Sequence, residues 1–171
     1  MGDPLLPGSA VLPAECSLSG RVALVTGGSR GIGRAIVEAL ARRGAAVAFS
    51  YREREDAARE VEAAVRAHGA ATWCGRCDVN EQGAIASFGN DAVKALGPID
   101  ILVNNAGITR EAHVMFLDAA RWDEVLRVNL DAAYHFTRAV VRGMLVKRWG
   151  RIINVSSPSA PHPGTSREPH G

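Results

Sequence analysis

The chain has 171 residues, 47% of them hydrophobic, 22% charged and 5% aromatic; that suits one domain burying about 70% of its unfolded surface, with no need of a disulfide scaffold or a structural metal. Its 20 Lys and Arg against 18 Asp and Glu leave a net charge of +2, so nothing electrostatic calls for a nucleic acid or an acidic membrane as partner. No apolar run reaches the roughly 18 residues of a membrane-crossing helix, and three cysteines fit a reducing compartment, hence a cytoplasmic protein.

Residues 1–19 hold three of the eight prolines and show neither helical nor strand periodicity, so they read as a flexible leader. A signal peptide needs a basic start and a longer apolar stretch, and Leu6 stands where N-myristoylation needs Ser or Thr. Arg21–Thr26 is a continuous apolar run, the mark of a strand covered on both faces. Ile32, Ala35, Ile36, Ala39 and Leu40 then recur at helical spacing up to Gly44. Ala46–Tyr51 is a second strand. Ala57, Val61, Ala64, Val65 and His68 line a second helix closed by Gly69. Thr72–Val79 is a weaker third strand, and Ile85, Phe88, Ala92 and Leu96 mark a third helix ended by Gly97-Pro98. Ile99–Asn104 is a fourth strand. A long helical region follows with Trp122, Val125, Leu126, Ala133, Phe136 and Val140, and Arg151–Val155 is a fifth strand. Such alternation predicts right-handed crossovers and one α/β domain, residues 20–157, with a parallel sheet between two helical layers.

Thr26 to Gly33 (Thr-Gly-Gly-Ser-Arg-Gly-Ile-Gly) sits between the first strand and the first helix. There Gly27 allows a tight exit from the strand. Gly31 lets the backbone approach a diphosphate, and Gly33 lets helix and strand pack closely. Ser29, Arg30 and Ile32 complete a turn in which the helix N-terminus meets the anion. The plainer alternative is a loop that merely turns. The second strand ends Ser50-Tyr51-Arg52, without the carboxylate that would grip a ribose 2′-hydroxyl. Two guanidinium groups, Arg30 and Arg52, converge on that corner and suit a 2′-phosphate, which favours NADP(H) over NAD(H). The alternative places Arg52 in a solvated helix start among Glu53, Glu55 and Asp56.

With Asp78-Val79 after the third strand and Asn104-Asn105-Ala106-Gly107 after the fourth, these motifs resemble those of the short-chain dehydrogenase/reductase family. The extensions Asn105 to Arg110 and Gly150 to Ser157 resemble its 3-oxoacyl-[acyl-carrier-protein] reductase and acetoacetyl-CoA reductase branch. The resemblance covers residues 20–157. It implies a Rossmann-type doubly wound parallel sheet with about five strands present, and reduction by NADPH of a 3-oxoacyl thioester carried on acyl-carrier protein or CoA. By resemblance Asp78 holds the adenine amino group with support from the Val79 backbone, and Asn105, Ala106 and Gly107 flank the cofactor ribose. Asn129 matches the family's active-site asparagine. It falls on the stripe Trp122, Val125, Leu126, Ala133 and Phe136, expected to be a buried face on which an unpartnered amide is costly. The alternative is an amide satisfied by neighbouring backbone. Ser157 matches the catalytic serine that donates to the substrate carbonyl.

The family's general acid is a tyrosine with a lysine four residues later. This sequence has Tyr51 and Tyr134, Lys94 and Lys147, and neither tyrosine has that lysine. From Pro158 the composition changes abruptly to Pro-Ser-Ala-Pro-His-Pro-Gly, without Val, Ile, Leu, Phe, Tyr or Trp, so 158–171 is expected to be a disordered tail. The expectation is a reductase body whose reading frame or exon boundary changes near Ser157. It would have little turnover, part of the family's homo-oligomeric interface missing, and Ile152, Ile153 and Val155 on an uncovered sheet edge. The rival expectations are a non-catalytic nucleotide-binding module that pairs with an intact reductase, and an unstable fragment. Cys74 and Cys77 have metal or redox spacing, but residues three apart on a strand point to opposite faces, so no metal site is expected. Arg42-Arg43 and Lys147-Arg148 sit where helix C-termini favour positive charge.

Overall fold

Strands and helices alternate along the chain because apolar runs and helical spacings alternate in the sequence. The computed structural model describes residues 17–110 and 113–156. The strands are β1 (Val22–Val25), β2 (Ala46–Tyr51), β3 (Thr72–Arg76), β4 (Ile101–Asn104) and β5 (Arg151–Asn154). The helices are α1 (Gly31–Arg42), α2 (Glu55–Ala67), α3 (Gln82–Leu96), α4 (Ala119–Leu126) and α5 (Ala132–Lys147), with a π-helical turn, Arg127–Asp131, joining the last two. Residues 1–16 and 157–171, and with them the expected tail and Ser157, lie outside the described residues. Leu18, within the stretch read as leader, packs against the core and donates its N–H to the Arg43 carbonyl (2.7 Å).

All pairings are parallel and the strand order is β3-β2-β1-β4-β5. The sheet is therefore the doubly wound α/β arrangement expected, with β1 central and the direction of winding reversed between β1 and β4. Alternate side chains of each strand feed two cores. Ala23, Val25, Val47, Phe49, Ile101 and Val103 pack with α1 and α2, whereas Leu24, Ala48 and Leu102 pack with α3 and α5. Cys74 and Cys77 fall into opposite cores, as period-two geometry requires. Burial pushes the Cys74 thiol up to about 11 and the Cys77 thiol up to about 12, and the described residues contain no cluster able to hold a metal.

Three expected helix faces need correction. In α1 the buried residues are Gly33, Val37 and Ala41, with Ile36 and Leu40 beside them, while Ile32 is exposed. The helix turns this way because Gly33, having no side chain, is the residue that abuts β1's exit. In α2 the buried residues are Ala58, Val61, Glu62 and Val65. Glu62 tolerates burial because Arg59 (2.8 Å) and Arg66 (3.3 Å) both donate to its carboxylate. The stripe Trp122-Val125-Leu126-Asn129-Ala133 is not the buried one. The buried row runs Val128, Ala132, Phe136, Val140 and Met144, and no residue of α4 is buried. The π turn widens the helix by a residue and changes which face meets the core.

Asp100, at the opposite end of the sheet from the cleft described below, is 1% exposed. It accepts the Val22 N–H (3.0 Å) and the Lys147 ammonium (2.9 Å), joining β1, β4 and α5. At the sheet margin all four residues of β5 are exposed, and Ile152, Ile153 and Val155 present apolar surface. No helix among the described residues is long and apolar enough to cross a membrane.

Candidate functional site

At the carboxyl ends of β1 and β4 the chain leaves the sheet toward opposite faces, and a cleft opens between the two exits. Its volume is about 600 Å³, within the usual range for small-molecule sites. Gly27 and Ser29 to Gly33 form one wall, Asn105 to Ile108 the other, and Tyr51, Arg52, Cys77 and Val79 close one end.

The glycine turn has the shape the motif predicts. Gly27 (φ +68) makes the sharp exit, and its N–H donates to the Ser50 hydroxyl (3.0 Å). Gly31 also has positive φ (+55), and a side chain built there would meet no atom within 4 Å, so its surface is open. Gly33 is the reverse case. A Cβ there would run into the Gly27 carbonyl and lie 2.6 Å from the Asn105 amide nitrogen. Helix α1 begins with extended Arg30 as its N-cap, which makes no side-chain cap hydrogen bond. The Arg34 N–H is the first to reach back, to the Arg30 carbonyl (3.2 Å), so the amides of Gly31, Ile32 and Gly33 precede the helical ladder. What the cleft offers is a row of N–H donors at the positive end of a helix dipole, reached over a glycine with no side chain.

The opposite wall is held to this turn by Thr26 and Asn105. The Thr26 hydroxyl accepts the N–H groups of Asn105 (3.0 Å) and Ala106 (2.9 Å). The Asn105 amide donates to the carbonyls of Thr26 (2.9 Å) and Gly27 (3.3 Å). Gly107 lies in contact with the Asn129 side chain, 3.4 Å from where its Cβ would be.

Arg30 and Arg52 both line the cleft, and Arg52 also pairs with Glu53 (2.8 Å). The alternative reading of Arg52 therefore holds as well. Tyr51 is nearly buried among the α1 and α2 core residues, and burial raises its phenol above the ordinary value. Its carbonyl accepts the Cys77 N–H (2.8 Å), which fixes where Asp78 and Val79 emerge beside β2. Asp78 accepts the backbone N–H (3.0 Å) and side-chain amide (2.9 Å) of Asn80; these donors hold its carboxyl below the usual range.

Asn129 stands in the π turn, exposed rather than buried. The expected burial fails because the wide turn buries Val128 rather than Asn129. Its amide is satisfied by one residue's backbone: Oδ1 accepts the Ile108 N–H (2.9 Å), and Nδ2 donates to the Ile108 carbonyl (3.0 Å). Asn129 thus joins the helix to the cleft wall. Three residues with work at this site went unassigned in the sequence. Thr26 was read only as part of the motif, Ser50 is a buried polar residue ending an apolar strand, and Gly28 is the position where a Cβ would lie 2.6 Å from that of Phe49. The polar end of Ala-Val-Ala-Phe-Ser was the available signal for Ser50.

Comparison with known proteins agrees with this geometry. The short chain dehydrogenase family pattern matches residues 21–169. Among curated proteins, 3-oxoacyl-[acyl-carrier-protein] reductase FabG of Vibrio harveyi is 43% identical over 141 residues, covering 82% of this chain and 56% of that protein. Acetoacetyl-CoA reductase of Paracoccus denitrificans is 43% identical over 137 residues, covering 80% and 54%. The chain thus spans little more than half the length of these relatives. A putative short-chain alcohol dehydrogenase from Sinorhizobium meliloti 1021 superposes with a TM-score of 0.79 at 40% identity, over 82% of this chain and 56% of that one. A metagenomic short-chain oxidoreductase solved in complex with NADP gives 0.78 at 40% identity, over 82% and 63%. With the family pattern matched over most of its length and relatives near 40% identical, this chain belongs to the short chain dehydrogenase family.

Proposed function

We propose that the cleft binds NADP(H), and that the reaction it serves is reduction of a 3-oxoacyl thioester, on acyl-carrier protein or CoA, to the 3-hydroxyacyl thioester. One observation carries the reading: the open Gly31 surface and uncapped α1 amides face Asn105 to Gly107 across the point where the sheet reverses its winding. In support stand the FabG and acetoacetyl-CoA reductase relatives and the similar structure solved with NADP.

The amides of Gly31, Ile32 and Gly33 hold the diphosphate, with Gly27 and Ser29 shaping the turn. Arg30 and Arg52 take the 2′-phosphate beside Tyr51, the ionised Asp78 accepts from the adenine amino group, and the Val79 backbone supports the ring. Asn105, Ala106 and Gly107 flank the ribose. When bound, the reduced coenzyme would supply hydride for the substrate carbonyl carbon. Ser157 donates a hydrogen bond to the carbonyl oxygen, and Asn129 keeps the Ile108 wall in place. The oxyanion then needs a proton. Within these 171 residues neither Tyr51 nor Tyr134 has a lysine four positions on, so these residues by themselves bind coenzyme without that proton donor and turn over slowly.

Two measurements test this. Calorimetry should show saturable binding of NADPH, stronger than that of NADH; absence of binding to either removes the reading. With acetoacetyl-CoA, NADPH oxidation should run about 10²–10⁴ below that of an intact relative, the usual worth of a general acid. A rate near that of the relative refutes the low-turnover part. The exposed β5 edge favours a second reading, a nucleotide-binding module pairing with an intact reductase subunit, and co-purification with such a subunit would support it.

A further inference from the structure

Gly107 and Ile108 form part of the cleft wall and Thr109 and Arg110 continue from it, yet among the described residues no backbone amide between the β4 exit and Arg110 donates to another backbone group. Among the described residues, side chains hold it. Thr26 and Asn105 fix its start, and Asn129 brackets Ile108 from both sides. Beyond that, Arg110 closes on Glu124 of α4 with two parallel bonds, Nε to Oε2 at 2.9 Å and Nη2 to Oε1 at 2.8 Å. The planar fork of arginine matched to a carboxylate gives this pair a defined direction that a single contact lacks. The Arg110 donors hold the Glu124 carboxyl below its usual range, with further help from the charges of Arg52 and Arg127. Since α4 buries no residue of its own, the ion pair ties this helix to the end of that segment, and the Asn129 bracket ties the π turn after it to Ile108.

We infer that Arg110 and Glu124 are positioning residues: their bidentate pair clamps α4 to the Gly107–Arg110 segment and so keeps the ribose and nicotinamide side of the cleft formed before coenzyme arrives. The inference rests on the dinucleotide reading above and goes beyond it by assigning two residues that reading gives no role. Opening the clamp leaves the segment in several arrangements. Coenzyme then binds only the fraction that is correctly placed, which weakens apparent affinity by that fraction. The adenine end, held by Arg30, Arg52 and Asp78, does not depend on the clamp. Glu124 also lies near Arg52, so removing its charge acts on the 2′-phosphate in the opposite sense, which separates clamp from field.

The test uses Arg110→Gln and Glu124→Gln in the full chain, titrated with NADPH and separately with 2′,5′-ADP, which lacks the nicotinamide half. The ratio of the NADPH Kd to the 2′,5′-ADP Kd should rise about three- to tenfold in both variants. Thermal midpoints should stay close to the parent, as expected for an exposed pair. If Arg110 were instead a direct coenzyme ligand, Glu124→Gln would free it and tighten NADPH, which overturns the inference. An unchanged ratio in either variant overturns it too. Deuterium uptake of the peptide spanning residues 105–110, measured without coenzyme, should quicken in both variants while α5 stays protected. Unchanged uptake refutes the clamp independently, and failure of the parent chain to bind NADPH counts against the dinucleotide reading alone.

Discussion

Gly31 and Gly33 belong to one motif but are glycines for opposite reasons, and alanine at each separates stability from binding. At Gly33 a methyl group would strike the Gly27 carbonyl and lie 2.6 Å from the Asn105 amide nitrogen and 2.9 Å from the Gly27 carbonyl carbon. Ordinary contact begins at 3.4 Å, so the Asn105 side must retreat by about 0.8 Å, and backbone that cannot turn aside lies on the other. Overpacking of this kind costs about 1–3 kcal/mol. Loss of the Asn105 bonds to Thr26 and Gly27 adds roughly 1 kcal/mol each. For a domain of this size each kcal/mol lowers the midpoint by about 2–4 °C, so Gly33→Ala should melt roughly 6–20 °C below the parent. At Gly31 the added methyl meets nothing and strains only a φ of +55, a cost of about 1–2 kcal/mol. It projects, however, onto the surface assigned to the diphosphate. Gly31→Ala should therefore remain folded and weaken NADPH binding about 30- to 100-fold, equivalent to two or three lost anion contacts. Circular-dichroism melting and calorimetry read the two effects. A Gly33→Ala variant with the parent midpoint would refute the close approach of α1 to β1, and a Gly31→Ala variant with the parent NADPH affinity would refute the cradle.

Asp100→Ala leaves the Val22 N–H and the Lys147 ammonium without their shared acceptor. It should cost about 2–3 kcal/mol, seen as a lower urea midpoint, whereas NADPH affinity should not change because Asp100 lies at the far end of the sheet. In the native chain Cys74 and Cys77 should resist iodoacetamide at pH 8: a thiol at about 11 rather than 9.0 carries about a hundredfold less thiolate, and both should label at once in denaturant. Mass mapping of the two peptides reads this out, and fast labelling of the folded protein would refute the burial. The same shifts set a stability window. Both folded thiols titrate above the unfolded value of 9.0, so their contribution is fully present below pH 9 and is lost as pH rises toward 11 and 12.

Elements bounded by strong local chemistry were legible in the sequence. Ala46–Tyr51 forms a strand over the expected residues, and Gly44, Gly69 and Gly97 follow their helices with φ of +89, +76 and +96. The glycine turn was legible because each of its glycines answers a different steric demand within one short stretch. Helix orientation was harder to read. In α1, apolar residues stand at Ile32, Ala35, Ile36, Val37, Ala39, Leu40 and Ala41, nearly all round, and the contact between Gly33 and Gly27 decides which side turns inward. The placement of Asn129 failed for another reason. A period of 3.6 carried through residues 122–136 assumes a regular helix, and no residue type in Arg-Val-Asn-Leu-Asp announces a wide turn. Tertiary bonds such as Arg110 to Glu124 join segments whose approach only the folded chain defines.

The wide turn at Arg127–Asp131 also sets the phase of α4 against α5. Each residue of a helix advances about 100° around the axis. Winding the same five residues as a regular α-helix would swing everything before them by that angle relative to α5, carrying Glu124 off its arginine while the row from Ala132 to Met144 stayed seated. A run that reads as an ordinary surface helix therefore acts as a phase adjuster, taking up one residue more than a regular helix would.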